Sequence, residues 1–174
     1  MRNAARLLLL LLLAVLSLLA GTASAGGTYF GPAPADLRAA LEQANAQGKS
    51  GVALLFELQD CSSCVELKRT ALPAPRVRRA YGPNFSTFVL GLDSFEGIKD
   101  FQGRITTAPE FAQASRVVGT PTIVIYDLQG IPVARLAGMP QGSAEVAALA
   151  RYAKEGAYEN EPFARYLSRV SQRR

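Results

Sequence analysis

Residues 52–56 read VALLF, five apolar side chains with no polar one among them. The chain's only two cysteines, Cys61 and Cys64, follow within a few residues. A strand with one wet face alternates apolar and polar positions, whereas an unbroken apolar run of strand length is covered on both faces. The sequence therefore calls for structure on both sides of one sheet, with the cysteine pair just past the end of a buried strand.

The flanking segments supply those layers. Asp36 is a good N-cap for LRAALEQANAQ, where Leu37, Ala40, Leu41 and Ala44 share one face and Gly48 stops the helix. CVELKRTAL starts a helix at the cysteines, interrupted by Pro73 and Pro75, and RVRRAYG adds a turn or two before Gly82. FSTFVLGL (85–92) reads as the next strand, followed by a polar loop from Asp93 to Thr106. Thr107, Pro109 and Glu110 form a capping-box signature for a helix running to about Val117. TPTIVIYD (120–127) and IPVARLAG (131–138), joined through Leu128–Gly130, read as an antiparallel hairpin. Ser143 is expected to cap AEVAALARYAKEG, and a short tail helix is expected near 161–170. The strand–helix–strand start implies a right-handed crossover and parallel pairing, and the hairpin adds an antiparallel edge. The fold class is α/β, a three-layer sandwich with a mixed central sheet flanked by helices.

The first 25 residues have the layout of a secretory signal peptide: Arg2 and Arg6, an apolar stretch from Leu7 to Ala20, then Ala23, Ser24 and Ala25. The stretch is shorter than the roughly 20 residues of a bilayer span, so cleavage after Ala25 is expected rather than retention as an anchor. The domain layout is then a leader over 1–25, a Gly/Pro-rich linker over 26–35, one domain over 36–157 and a helical extension over 158–174. Loss of Arg2 and Arg6 lowers the formal charge from +5 to +3. The remaining bases are scattered apart from RVRR (76–79), which argues against a nucleic-acid surface and for solvated arginines. A periplasmic or secreted location is the corresponding expectation, and a monomer is the default.

Export puts the cysteines where disulfides persist. As a staple, a pair three residues apart closes too small a loop to matter. As a chemical group it is well placed: the free N–H groups and dipole of a helix start stabilise a Cys61 thiolate, while Cys64 lies one turn further in. Cys61 is thus the candidate nucleophile and Cys64 the resolving thiol. Two other readings stay open. Two thiolates suit Cu(I), although zinc would be left two ligands short. The fold could also serve as a binding module with an inert disulfide.

The C-x-x-C after a buried strand, together with Gly119-Thr120-Pro121-Thr122 before the hairpin, resembles the thioredoxin superfamily. The likeness spans roughly Asp36 to Ala157. The polar insert before TAPEFAQ and the ending EGAYENEPFARYL look closer to SoxW-type periplasmic thioredoxin-related proteins. The resemblance implies a thioredoxin-like fold and thiol–disulfide oxidoreductase activity needing no cofactor beyond a redox-active Cys61–Cys64 disulfide. It implies a cis Pro121 facing the dithiol, with the Thr120 backbone offered to a substrate strand. Gly138 corresponds to a glycine that lets substrate approach, and a plain turn glycine is the other reading. Partners would be protein thiols or disulfides, with electrons relayed from a membrane donor.

The departures carry information too. Asp60 stands where cytosolic thioredoxins have Trp, Ser62 and Ser63 stand between the cysteines, and the chain has neither Trp nor His. Asp60 opposes a Cys61 thiolate, no imidazole can favour one, and hydrogen bonds from Ser62 and Ser63 would act the other way. The balance leans towards a reductant. The family's buried strand acid is Leu55 here; Glu57 points to the same side by strand period and is a candidate proton acceptor for Cys64, the other reading being a strand-end glutamate in solvent. Phe95 and Phe101 are expected to pack locally, a partner contact being the other reading.

Overall fold

The computed structural model describes residues 29–172. The expected leader and the start of the expected linker lie outside them.

The VALLF run sits in β2 (Gly51–Glu57), the middle strand of a five-stranded sheet ordered β1-β3-β2-β6-β7. β3 (Phe85–Gly91) runs parallel to β2, from Gly51↔Phe85 to Glu57↔Gly91. β6 (Thr122–Tyr126) is antiparallel to β2, with Phe56 opposite Thr122, and β7 (Pro132–Ala137) is antiparallel to β6. The crossover from β2 to β3 contains α2 (Ser62–Thr70) and α3 (Pro75–Tyr81). One consequence governs the site. The ends of β2, β3 and β7 and the start of β6 all meet at one edge of the sheet.

Both faces are covered, as the apolar run demands. Val52, Leu54 and Phe56 pack with α1 (Leu37–Ala46) and α4 (Ala108–Ala114) in one core. Ala53 and Leu55 point the other way, towards Leu67 of α2, Val77 and Tyr81 of α3, Leu149 of α5 (Ser143–Lys154) and Tyr166 of α6 (Phe163–Ser171). Asp36 caps α1, its Oδ1 accepting the Ala39 N–H at 2.8 Å. Thr107 and Glu110 form the expected capping box on α4.

Several elements differ from the sequence expectation. The polar stretch after β3 holds a two-stranded antiparallel ribbon, β4 (Gly97–Lys99) and β5 (Ile105–Thr107). Its turn is built by Asp100, whose Oδ1 accepts the N–H groups of Gln102 and Arg104 and whose Oδ2 takes the Arg104 guanidinium at 2.8 Å. Phe101 packs into the core beside it, but Phe95 is 78% exposed. α4 stops at Ala114 rather than near Val117, because Arg116 turns left-handed (φ 55°) and the Val117 N–H reaches back to the Ala112 carbonyl. Ser143 opens α5 without capping it: its side chain makes no cap bond, and Gly142 precedes it.

The expected linker is, from Phe30 onward, part of the domain. Phe30 is buried, and β1 (Gly31–Pro32) pairs in parallel with Phe88 and Val89 of β3. Thr87 Oγ1 donates to the Tyr29 carbonyl at 2.6 Å. The tail is likewise joined to the body, with Tyr166 1% exposed and its hydroxyl donating to Glu155 Oε2 at 2.9 Å. The packed unit thus reaches past residues 36–157 at both ends.

Candidate functional site

β2 ends at Glu57, and a short turn, closed by the Cys61 N–H on the Leu58 carbonyl, brings the chain to α2. Cys61 is the N-cap of α2: its Sγ accepts the Cys64 N–H at 3.1 Å. The two cysteines are joined in a disulfide, with Cα atoms 5.2 Å apart. Cys64 is 1% exposed, whereas Cys61 keeps part of its surface in solvent. A thiolate on Cys61 would face the positive end of a helix dipole.

The start of β6 supplies the second wall. The Thr120–Pro121 peptide bond is cis, and Thr120 Oγ1 lies 3.4 Å from Cys61 Sγ in a donating geometry. Ser63 Oγ is 3.5 Å from the same sulfur; Ser62 also lines the cleft. The end of β7 closes the group, because the Gly138 N–H donates to the Pro121 carbonyl at 2.8 Å. Gly138 has φ +77°, which favours glycine, and the space its side chain would enter is open. Cys61, Cys64, Thr120, Pro121 and Gly138 are therefore neighbours.

Glu57 does not reach into open solvent. Lys68, two turns along α2, places Nζ 2.9 Å from Oε1 in hydrogen-bond geometry and 2.7 Å from Oε2. Oε2 is itself buried and has the ion pair but no aligned hydrogen bond. Glu57 and Lys68 line a groove with Phe30, Pro32, Val89 and Gly91. The pair fastens the end of β2 to the cysteine-bearing helix.

Two charged residues stand beside the exposed sulfur. A cleft of about 440 Å³ is lined by Leu58, Asp60, Cys61, Ser62, Ser63, Asp93 and Thr120. Asp93 Oδ2 accepts the Gln59 N–H at 2.6 Å, which fixes the loop after β3 to the turn before Cys61. Lys68 and Asp93 were not legible as site residues. Asp93 had one available signal: it follows a strand expected to run parallel to the cysteine strand, and parallel strands deliver their carboxyl ends to the same edge. Among the described residues no group of three or more His, Cys, Asp or Glu side chains is arranged to hold a metal ion.

Comparison with known proteins identifies the family and the fold. A family model for a thioredoxin-like domain matches residues 37–154. A thioredoxin-fold protein from Helicobacter pylori superposes with a TM-score of 0.61 at 20% identity, over 73% of this chain and 88% of that one. A thioredoxin from Thermus thermophilus gives 0.57 at 26% identity, over 76% and 92%. A structure described as DsbH oxidoreductase gives 0.54 at 17% identity, over 78% and 92%. No curated protein matches the sequence.

Proposed function

The chain belongs to the thioredoxin-like domain family, and on that premise we propose that it is an exported thiol–disulfide oxidoreductase acting on protein cysteines as a reductant. The observation that carries the proposal is the placement of Cys61: partly exposed, capping a helix, beside Thr120 and the cis Pro121, with Cys64 buried behind it. The names of similar structures, a thioredoxin and an oxidoreductase, support the reaction class. The leader sequence and the likeness to SoxW-type proteins support a periplasmic setting; a reductant there would draw its electrons from a membrane donor, and a monomer is the default state.

In the reducing direction the Cys61 thiolate attacks one sulfur of a partner disulfide. The partner's S–S bond breaks, and the departing sulfur takes up a proton. Cys64 then loses its proton and attacks Cys61 Sγ, which restores the Cys61–Cys64 disulfide and frees the second partner thiol. Two electrons pass from the dithiol to the partner, and a dithiol donor returns them. Glu57, on the face of β2 that carries α2, is the proposed acceptor of the Cys64 proton. The Thr120 backbone offers an edge for a partner strand, with Gly138 leaving room above Pro121.

Asp60 and Asp93 disfavour a thiolate on Cys61, and the Cys64 N–H with the Thr120 and Ser63 hydroxyls favours one. The proposed balance is that of a reductant. Equilibration of the purified protein against dithiothreitol and glutathione buffers tests it. A potential near thioredoxin's, about −270 mV, is expected, and Cys61→Ser should abolish insulin reduction. A value near −120 mV would reverse the assigned direction. A pair that no buffer reduces would leave only the binding-module reading.

A further inference from the structure

The cleft at Cys61 differs in charge from the chain as a whole. The chain carries a formal +5, yet the charged residues lining the cleft at Cys61 are both acids, Asp60 and Asp93. At the opposite ends of β2 and β3 the bases gather. Arg76, Arg79 and Arg151 line one cleft there, and Lys49 and Lys154 reach Ser86 and Ser50. None of the ion pairs among the described residues includes Asp60 or Asp93. Asp93 is held in place by the Gln59 N–H, so its charge does not drift from the sulfur.

A mixed disulfide puts the partner's cysteine on Cys61 and its chain neighbours over this cleft. In an extended segment the residues one and two positions away lie about 3–7 Å along the chain. That is inside the screening length of roughly 8 Å at physiological salt. A cation there meets two unpaired carboxylates, whereas an anion is repelled by both. The same cation stabilises the thiolate that this attached cysteine becomes when Cys64 attacks Cys61 Sγ and releases it, and a thiol of lower pKa leaves faster. Both effects act in the same direction.

Resting on the oxidoreductase reading, we infer that the cleft selects a cationic cysteine segment: a partner whose reactive cysteine has Lys or Arg within two residues of it. Asp60 and Asp93 set this preference, while Cys61 and Cys64 carry the exchange.

The test uses the reduced protein and three peptides with the same disulfide, flanked by Lys, Ser or Glu, plus neutral hydroxyethyl disulfide. The second-order rate constant for the Lys peptide is expected to exceed that for the Glu peptide about tenfold at low salt, from two exposed charge pairs. The ratio should shrink towards one at 1 M salt. In Asp60→Asn/Asp93→Asn it should fall to within about twofold. Asparagine keeps the oxygen that accepts the Gln59 N–H, and Asp60→Asn alone, expected to lose about half the discrimination on a logarithmic scale, serves if the double variant unfolds. Taking the ratio cancels any change in the intrinsic reactivity of Cys61. Equal rates for all three peptides, or a preference unchanged in the variants, would overturn the inference while turnover of hydroxyethyl disulfide upheld the oxidoreductase reading. Failure to reduce any of the four would overturn both.

Discussion

At the scale of single residues, the site divides into what a motif encodes and what only packing reveals. Cys61 and Cys64 were legible as a pair from their type and spacing, and Thr120 and Pro121 from the resemblance to a known family. Lys68 was not, because a lysine on a helix is ordinarily a solvated residue, and its role exists only where α2 crosses the end of β2. Glu57 was half legible. Strand period placed it on the helix side of β2, but the cation waiting there was invisible. Removing that cation strands a largely buried carboxylate, since one oxygen is fully enclosed. Lys68→Met is therefore expected to lower stability by about 1–2 kcal/mol in urea unfolding, and adding Glu57→Gln should recover part of the loss. Equal stability of Lys68→Met and the parent would mean the pair holds nothing together.

At the scale of elements, the long strands and helices followed from periodicity, and the short ones did not. β4 and β5 have three residues each, too few for an alternation to show. The Asp100 turn between them fixes their pairing. Burial alone would raise the Asp100 carboxyl, but the Arg104 and Gln102 N–H groups and the Arg104 guanidinium outweigh it and hold it below the usual carboxylate range. A carboxyl whose value is depressed on folding contributes stability above its unfolded value, near pH 4. That contribution is lost as the pH falls through the lower folded value. Asp100→Asn should thus be less stable than the parent by about 1–2 kcal/mol at pH 7, with the gap closing below about pH 4. Urea unfolding at both pH values measures it, and a gap independent of pH would contradict the assignment. β1 escaped notice for a related reason: two residues in a Gly/Pro-rich arm have no period, and only the buried Phe30 beside them fixes the segment.

At the scale of the molecule, one continuous apolar strand was enough to require a core on each side of the sheet, and both are present. The outer limits were harder to read. Phe30 and Tyr166 each lie in short segments with a polar or Gly/Pro-rich character, yet both fill the same core, on the face that carries α2. That face also holds the cysteine helix in place, so the arm and the tail help to support the site from opposite ends of the chain. The helix it supports conceals one sulfur and presents the other. On the proposed mechanism, a chain carrying Cys64→Ser keeps its attacking group and lacks the means of release. Mixed with an extract of oxidised proteins, it should come away with its partner still covalently attached, reducible by dithiothreitol and absent when Cys61 is also replaced. The burial of a single side chain turns this protein into a bait for whatever it serves.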